Sequence, residues 1–409
     1  MIVAGIVAEY NPLHNGHLYH INMTRQLTNA DYVVCVMSGN FVQRGEAAIT
    51  NKWFRSRMAL AAGIDLVIEL PAVYAVQSAE QFAFGAIKLL DSIGVVDYLC
   101  FGSESGDISA LTSAADVLYD EPYALQQAIK QHLANGLSYP HAVSEALSSY
   151  AHLNIELTPN NTLAIEYLKA LKKLGSSIKP VTIQRLRSSY NSTVLEGEIS
   201  SATSIRRAIF ENGPEYDGVR NAIPDFAYGI LSDAFTKGYG PISLDSIGLI
   251  IVYALRNMPK QFLEDVLDIS EGLEHRIKRA AMLAGDMQTL INSIKTKRYT
   301  QTRIQRAIIH AMLGMSNDVM DELTSNGGPQ YIRVLGFSEK GKQLLPYISS
   351  KSSLQLLSKA ADYRSILSPP GRKLFEIEIK ATDLYSLAYM KPALRRAGNE
   401  FVNDIYHIW

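Results

Sequence analysis

Short apolar runs that alternate with helix-period segments constrain this chain more than any other feature. "IVAGIVA" (2–8), "DYVVCVM" (31–37), "IDLVIEL" (64–70) and "VDYLCFG" (96–102) read as strands. Helical patterns lie between them at 16–30, 52–63 and 78–94. Each strand run is apolar nearly throughout, not at every second residue. Such a strand must be covered on both faces, and crossover helices supply the cover. The pattern predicts an α/β fold: a doubly wound, Rossmann-like parallel sheet. "KPVTIQRL" (179–186) reads as a fifth strand. "SSATSIRRAIFENG" (200–213) reads as a helix with Ser at its start and Gly at its end.

Past Gly213 the texture changes. Strand alternation largely stops, and long helical patterns take over, among them "FLEDVLDISEGLEHRIKRAAMLA" and "RIQRAIIHAMLGM". Pro214 and Pro224 flank the change. With 409 residues to divide, two domains are expected: residues 1–213, α/β, and residues 214–409, mainly helical.

Composition narrows the partners. A formal net charge of −1 leaves no bulk attraction for nucleic acid, so any RNA contact must come from a local patch. No run approaches the roughly 20 apolar residues of a membrane span, and "LIIVYAL" (249–255) reads as a buried helix. The first nine residues carry no Lys or Arg, so no signal peptide is expected. The two cysteines, Cys35 and Cys100, lie inside apolar runs and read as buried, inert thiols of a cytoplasmic protein.

The chemistry is concentrated where the first strand ends. "EYNPLHNGH" (9–17) places His14 and His17 around an Asn-Gly step, at the point where a helix begins. In a doubly wound sheet, ligands bind outside the carboxyl ends of the strands. A helix N-terminus there offers free N–H groups and a positive dipole end, a ready phosphate site. Gly16 lets backbone approach a phosphate, and two imidazoles add directed donors for charge developing on it. A metal site made by His14, His17 and His20 is the competing reading. No nearby Cys or Asp completes that set, so no metal site is assigned.

"NPLHNGH" resembles the H-x-G-H signature of the nucleotidyltransferase superfamily. "ISSATSIRRAI" (199–209) resembles its second motif, I-S-S-T-x-I-R. Aligned on Arg206, the stretch keeps Thr203 but has Ala202 for a serine. Aligned on Ile199, it keeps Ser200 and Ser201 and sets Arg206 one place late. "GIVAEYNPLHNGH", "MSGNFVQRGEAAITNKW", "DLVIELP", "FGSESGD" and "PNNTLAIEYLKAL", with "KTKRYTQTRIQR" and "YIRVLGFSEKGKQLL" further on, together resemble one family, the bacterial tRNA(Met) cytidine acetate ligases.

The resemblance implies an ATP-dependent ligase. Acetate attacks the α-phosphate of ATP and pyrophosphate leaves. The N4 amine of the wobble cytidine in elongator tRNA(Met) then attacks the acetyl-adenylate, and AMP leaves. By position, the segment Val7, Ala8, Glu9, Tyr10, Asn11, Pro12, Leu13, His14, Asn15, Gly16, His17, Leu18, Tyr19 and His20 wraps the ATP. His14 and His17 serve the phosphates as the catalytic pair. Gly102 admits adenine or ribose, although a turn glycine explains it as well. Of Asn160 and Asn161, one reads as a helix N-cap and the other as a nucleotide contact. Arg185 is a phosphate or adenine contact or else a solvated arginine. Ser201, Thr203 and Arg206 close over the phosphates. Mg²⁺ is expected with ATP. The loop 37–57 carries Gln43, Arg44, Lys52, Arg55 and Arg57, and can be read as an acetate clamp, a phosphate clamp or a tRNA contact.

A basic stretch marks the second half. From His275 to His310 the chain carries Arg276, Lys278, Arg279, Lys295, Lys297, Arg298, Arg303 and Arg306 against one acid, Asp286. It reads as a tRNA-binding surface, with Tyr299 available to stack on a base. A solvated helix face is the alternative. Two other functions stay open on sequence: a small-molecule adenylyltransferase with a helical appendage, and a non-catalytic RNA-binding protein on a nucleotidyltransferase fold.

Overall fold

The structure is a computed structural model that describes residues 1–185, 200–403 and 405–408. Its centre is a sheet of eight strands: β1 (Val3–Ala8), β2 (Tyr32–Ser38), β3 (Leu66–Leu70), β4 (Tyr98–Ser103), β5 (Lys179–Gln184), β6 (Tyr331–Ser338), β7 (Gln355–Leu357) and β8 (Tyr406–Ile408). They lie in the order β5-β4-β1-β2-β3-β6-β7, with β8 also paired to β6. The first five strands are parallel to their neighbours. Strand order reverses at β1, which has β2 on one side and β4 on the other. That reversal opens a crevice at the carboxyl ends of β1 and β4.

Apolar side chains pack against both faces, as the continuous strand runs require. Val34, Val36 and Ile68 face one helical layer with Leu90 and Ile87. Ile6, Val33 and Cys35 face the other with Ile21 and Met58. Cys35 and Cys100 are buried and free, and burial pushes each thiol up to about 12, so both are inert.

The second half departs from the expected texture. β6 joins β3 antiparallel, and β7 and β8 extend the sheet beyond it. The sheet therefore runs across the boundary expected at residue 213. Arg333 hid the strand "YIRVLGFS" from a hydropathy reading. It is 2% exposed, donates to the carbonyl of Ser358 and lies 3.7 Å from Glu400. Lys52 sits in the same buried network, 2.6 Å from Glu69, 2.7 Å from Glu400 and 3.3 Å from Glu378. Three carboxylates from distant parts of the chain thus close on one ammonium. Taking an ammonium out of water is costly, and attraction to the surrounding carboxylates offsets that cost.

The segment 249–255 lies in the helix Gly248–Asn257, but as an amphipathic helix and not a buried one. Ile251, Val252 and Leu255 are buried, while Leu249 and Tyr253 are 72% and 70% exposed. Among the described residues no helix is long and apolar enough to cross a membrane.

Candidate active site

His14 is the N-cap of the helix Asn15–Thr28, and its side chain accepts from the Gly16 N–H at 3.1 Å. His17 reciprocates from the third helical position. Its Nδ1 accepts the His14 N–H at 3.2 Å, which makes a capping box of two histidines. The rings stack with centroids 3.7 Å apart, and Tyr10 meets His17 edge-on at 5.1 Å. With each Nδ1 lone pair holding a backbone N–H, a neutral imidazole must carry its proton on Nε2. Burial keeps both rings neutral. It lowers His14 to about 3, helped by Arg185 and Arg206, and holds His17 well below its usual range. The pair is therefore a set of fixed donors, not of bases. His20, one turn on, is lowered to about 4 by burial and by Arg185, and its buried Nε2 has no hydrogen-bond partner among the described residues.

A cavity of about 510 Å³ opens at these strand ends. Val7, Ala8, Glu9, Tyr10 and Asn11 line it from the end of β1, and His14, Gly16, His17, Tyr19 and His20 from the first helix. Gly102 and Arg185 line it from the ends of β4 and β5, and Asn160 from the helix Pro159–Leu174. Ser201, Thr203 and Arg206 close it from the helix Ala202–Asn212, where Ser201 is the N-cap and accepts from the Ser204 N–H. Two helix N-termini thus converge on one cavity, which suits a polyanion. Arg206 donates to the Asn11 carbonyl at 2.9 Å and to Glu46 at 2.7 Å, which ties the second helix to the end of β1.

Five residues of the expected nucleotide set lie outside the cavity wall. Leu13 is fully buried in the core, and Leu18 packs against it. Pro12 belongs to the turn before the helix, and Asn15 donates to the Asn221 carbonyl. Asn161 binds the backbone beyond β4: its Oδ1 accepts from the Glu104 and Ser105 N–H groups. Neither asparagine is an N-cap. Thr158 holds that position, and Asn160 reaches the cavity, where its Oδ1 accepts from Arg185 at 3.3 Å. Ile199, the first residue of the second motif, lies outside the described residues.

The loop 37–57 divides by role. Gln43, Arg44 and Glu46 line the cavity. Lys52 belongs to the buried carboxylate network, and Arg55 is a scaffold that donates to the carbonyls of Glu9, Ser38, Gly39 and Thr50. Arg57 stacks on the rings of Phe54 and Tyr406. Glu46 drew no notice in the sequence because nothing there pairs it with Arg206. Phe82, Phe101 and Tyr167 also line the cavity while only 3%, 4% and 6% exposed. Aromatics at such positions read as core, so the sequence carried no signal for them.

The second half supports this loop. The Tyr385 hydroxyl donates to the Ala48 carbonyl at 2.6 Å, and Gly45, at φ +74°, lies against the backbone of Gln305 and Arg306.

The basic stretch is not one free positive surface. Arg298 pairs with Glu271 at 2.9 Å, and Arg306 with Asp268 at 2.7 Å. Arg303 donates to the Asp268 carbonyl and to the Ser270 hydroxyl. Lys278 donates to the carbonyls of Leu255, Arg256 and Met258, and Arg276 to that of Ile294. The neutralising acids precede the stretch in sequence, so a local count missed them. Tyr299 is 5% exposed and donates to the Glu271 carbonyl, which takes it out of reach of a base. Arg279, Lys295 and Lys297 remain exposed.

Fold and site define a nucleotidyltransferase, and a family model described as HIGH Nucleotidyl Transferase matches residues 1–400. Among curated proteins, the tRNA(Met) cytidine acetate ligase of Thermoanaerobacter sp. (strain X514) is 48% identical over 410 residues, covering 99% of each chain. That of Acetivibrio thermocellus is 46% identical over 412 residues, again covering 99% of each. The crystal structure of Thermotoga maritima TmcAL bound with alpha-thio ATP has a TM-score of 0.92 at 35% identity and covers 100% of both chains. Its apo form has a TM-score of 0.94. The chain belongs to the tRNA(Met) cytidine acetate ligase family.

Proposed function

We propose that the protein activates acetate with ATP and transfers the acetyl group to the N4 amine of the wobble cytidine of elongator tRNA(Met). One observation carries the adenylation step: two helix N-termini and two imidazoles with outward Nε2–H donors converge on one cavity. The phosphates of ATP lie across those donors, with Ser201, Thr203 and Arg206 over them. Adenosine lies toward Gly102, Asn160 and Arg185. Acetate attacks the α-phosphate in line with the departing pyrophosphate. The donors stabilise charge that grows on the phosphoryl oxygens, and no covalent enzyme intermediate is needed. AMP then serves as the leaving group that a bare carboxylate lacks.

Among the described residues no group of three or more His, Cys, Asp or Glu is placed to hold a metal ion. An ion that accompanies ATP is held by phosphates and water, and no step is routed through it.

In this reading residues 1–213 hold the adenylation centre, and residues 214–409 contact the tRNA through Arg279, Lys295 and Lys297 while buttressing the loop 37–57. The test is incubation with ATP, labelled acetate and total tRNA, followed by nuclease digestion. Labelled N4-acetylcytidine is the expected product. Adenylylation of a small molecule with no label in RNA favours the adenylyltransferase alternative, and no ATP consumption at all favours the non-catalytic one.

A further inference from the structure

The acceptor cytidine poses a proton problem that the histidines do not solve. The N4 lone pair is delocalised into the ring, so the amine attacks well only as it loses a proton. His14 and His17 hold backbone N–H groups on Nδ1 and are donors on Nε2. Among the described residues lining the cavity, the carboxylates are Glu9 and Glu46. Glu46 is paired with Arg206 at 2.7 Å. Glu9 stands at the end of β1, held by the Gln43 N–H on Oε1 at 2.8 Å, with its backbone carbonyl clamped by Arg55. Phe101 and Tyr167, centroids 5.8 Å apart, line the same cavity and pack in the apolar cluster on the opposite face of the sheet from that of Tyr10. Aromatic side chains are what a base stacks on when it is taken out of a helix.

We propose that Glu9 is the catalytic base of the transfer step and receives the N4 proton of a cytosine held against Phe101 and Tyr167. This rests on the ligase reading of the cavity. The N4 lone pair adds to the acetyl carbonyl and a C–N bond forms. The acyl C–O bond to phosphate breaks, AMP leaves with that electron pair, and the N4 proton passes to a Glu9 carboxylate oxygen. A carboxylate is also the side chain that accepts from the exocyclic amine of cytosine. Burial raises the Glu9 carboxyl, opposed by the Gln43 N–H and by Arg206, with Glu46 adding to the rise and Arg44 to the fall. Arg55 and Tyr167 also feel its charge. A raised carboxyl is a stronger base.

The experiment compares Glu9→Gln and Glu9→Asp with the wild-type chain in two assays. One is acetate-dependent exchange of labelled pyrophosphate into ATP. The other is single-turnover transfer from synthetic acetyl-adenylate to purified elongator tRNA(Met), run across pH. Gln keeps the acceptor for the Gln43 N–H but cannot take the proton. Transfer by Glu9→Gln is expected to fall about 10²–10⁴-fold, well beyond any fall in exchange, with loss of the acid limb of its pH profile. Glu9→Asp recovers part of the rate. Equal falls in both assays would instead make Glu9 a nucleotide-binding residue. A wild-type transfer rate with the acid limb intact would give the proton to the leaving phosphate. Either result overturns the proposal, and thermal melting of each variant shows whether it folds. If the wild-type chain makes neither acetyl-adenylate nor N4-acetylcytidine, the ligase reading fails first and this proposal with it.

Discussion

Replacing His17 with Ala tests the donor role most directly. The substitution removes the Nε2–H from the cavity and the acceptor that holds the His14 N–H at 3.2 Å. It also removes the ring stacked on His14 at 3.7 Å. The first loss acts on rate. A preorganised donor at a site of developing charge is worth about 10²–10³ in turnover, or roughly 3–4 kcal/mol. The second acts on stability. His14 is only 5% exposed, so its N–H is left without an acceptor in a buried setting, at a cost of about 1–3 kcal/mol. Acetate-dependent pyrophosphate exchange at saturating ATP should therefore fall by about 10²–10³ while the protein stays folded. Exchange in the wild-type protein should also show no titration near pH 6.5, because His14 is lowered to about 3 and His17 stays neutral with it. A fall of less than about ten-fold, or one confined to the KM for ATP, would refute the transition-state role. A pH limb between 6 and 7 that disappears in the variant would refute the neutral-donor assignment.

Gly45→Ala should impair exchange at a distance, because a Cβ there would clash with the Arg306 backbone nitrogen at a φ of +74°. A loss of about 1–3 kcal/mol in thermal stability together with slower exchange is expected, and an unperturbed variant would deny the helical half its buttressing role. Lys295→Ala with Lys297→Ala should weaken tRNA binding and make the slope of log K against log salt shallower by roughly 0.7–0.9 per lost phosphate contact. Arg298→Ala should change that slope less, since Glu271 already neutralises it. An unchanged slope in the lysine pair returns those residues to a solvated face. Stability should decline as pH falls from about 6.5 toward 4, since the unfolded chain takes up protons there that His14 and His20, lowered to about 3 and 4 in the fold, do not. Chemical denaturation at pH 7 and pH 5 measures this, and His20→Gln should flatten the dependence.

The parallel strands and the histidine end of the cavity were legible in sequence because local rules write them. Continuous apolar runs demand cover on both faces, and the capping box of His14 and His17 closes between residues three apart. The same holds for Ser201, which caps its own helix. The rest was decided by groups that meet only in three dimensions. Arg333 disguised β6 as a polar segment until Glu400, 67 positions on, shared its burial. Arg303 and Arg306 counted as free charge until the fold brought Asp268, two helices earlier in the chain, against them. Asn160 and Asn161 are adjacent and alike, and only the backbone beyond β4 sends one to the cavity and the other to the Glu104 and Ser105 amides. A charge or an amide has no fixed role until its partner is known, because burial makes an unpaired polar group costly and the fold alone chooses the pair.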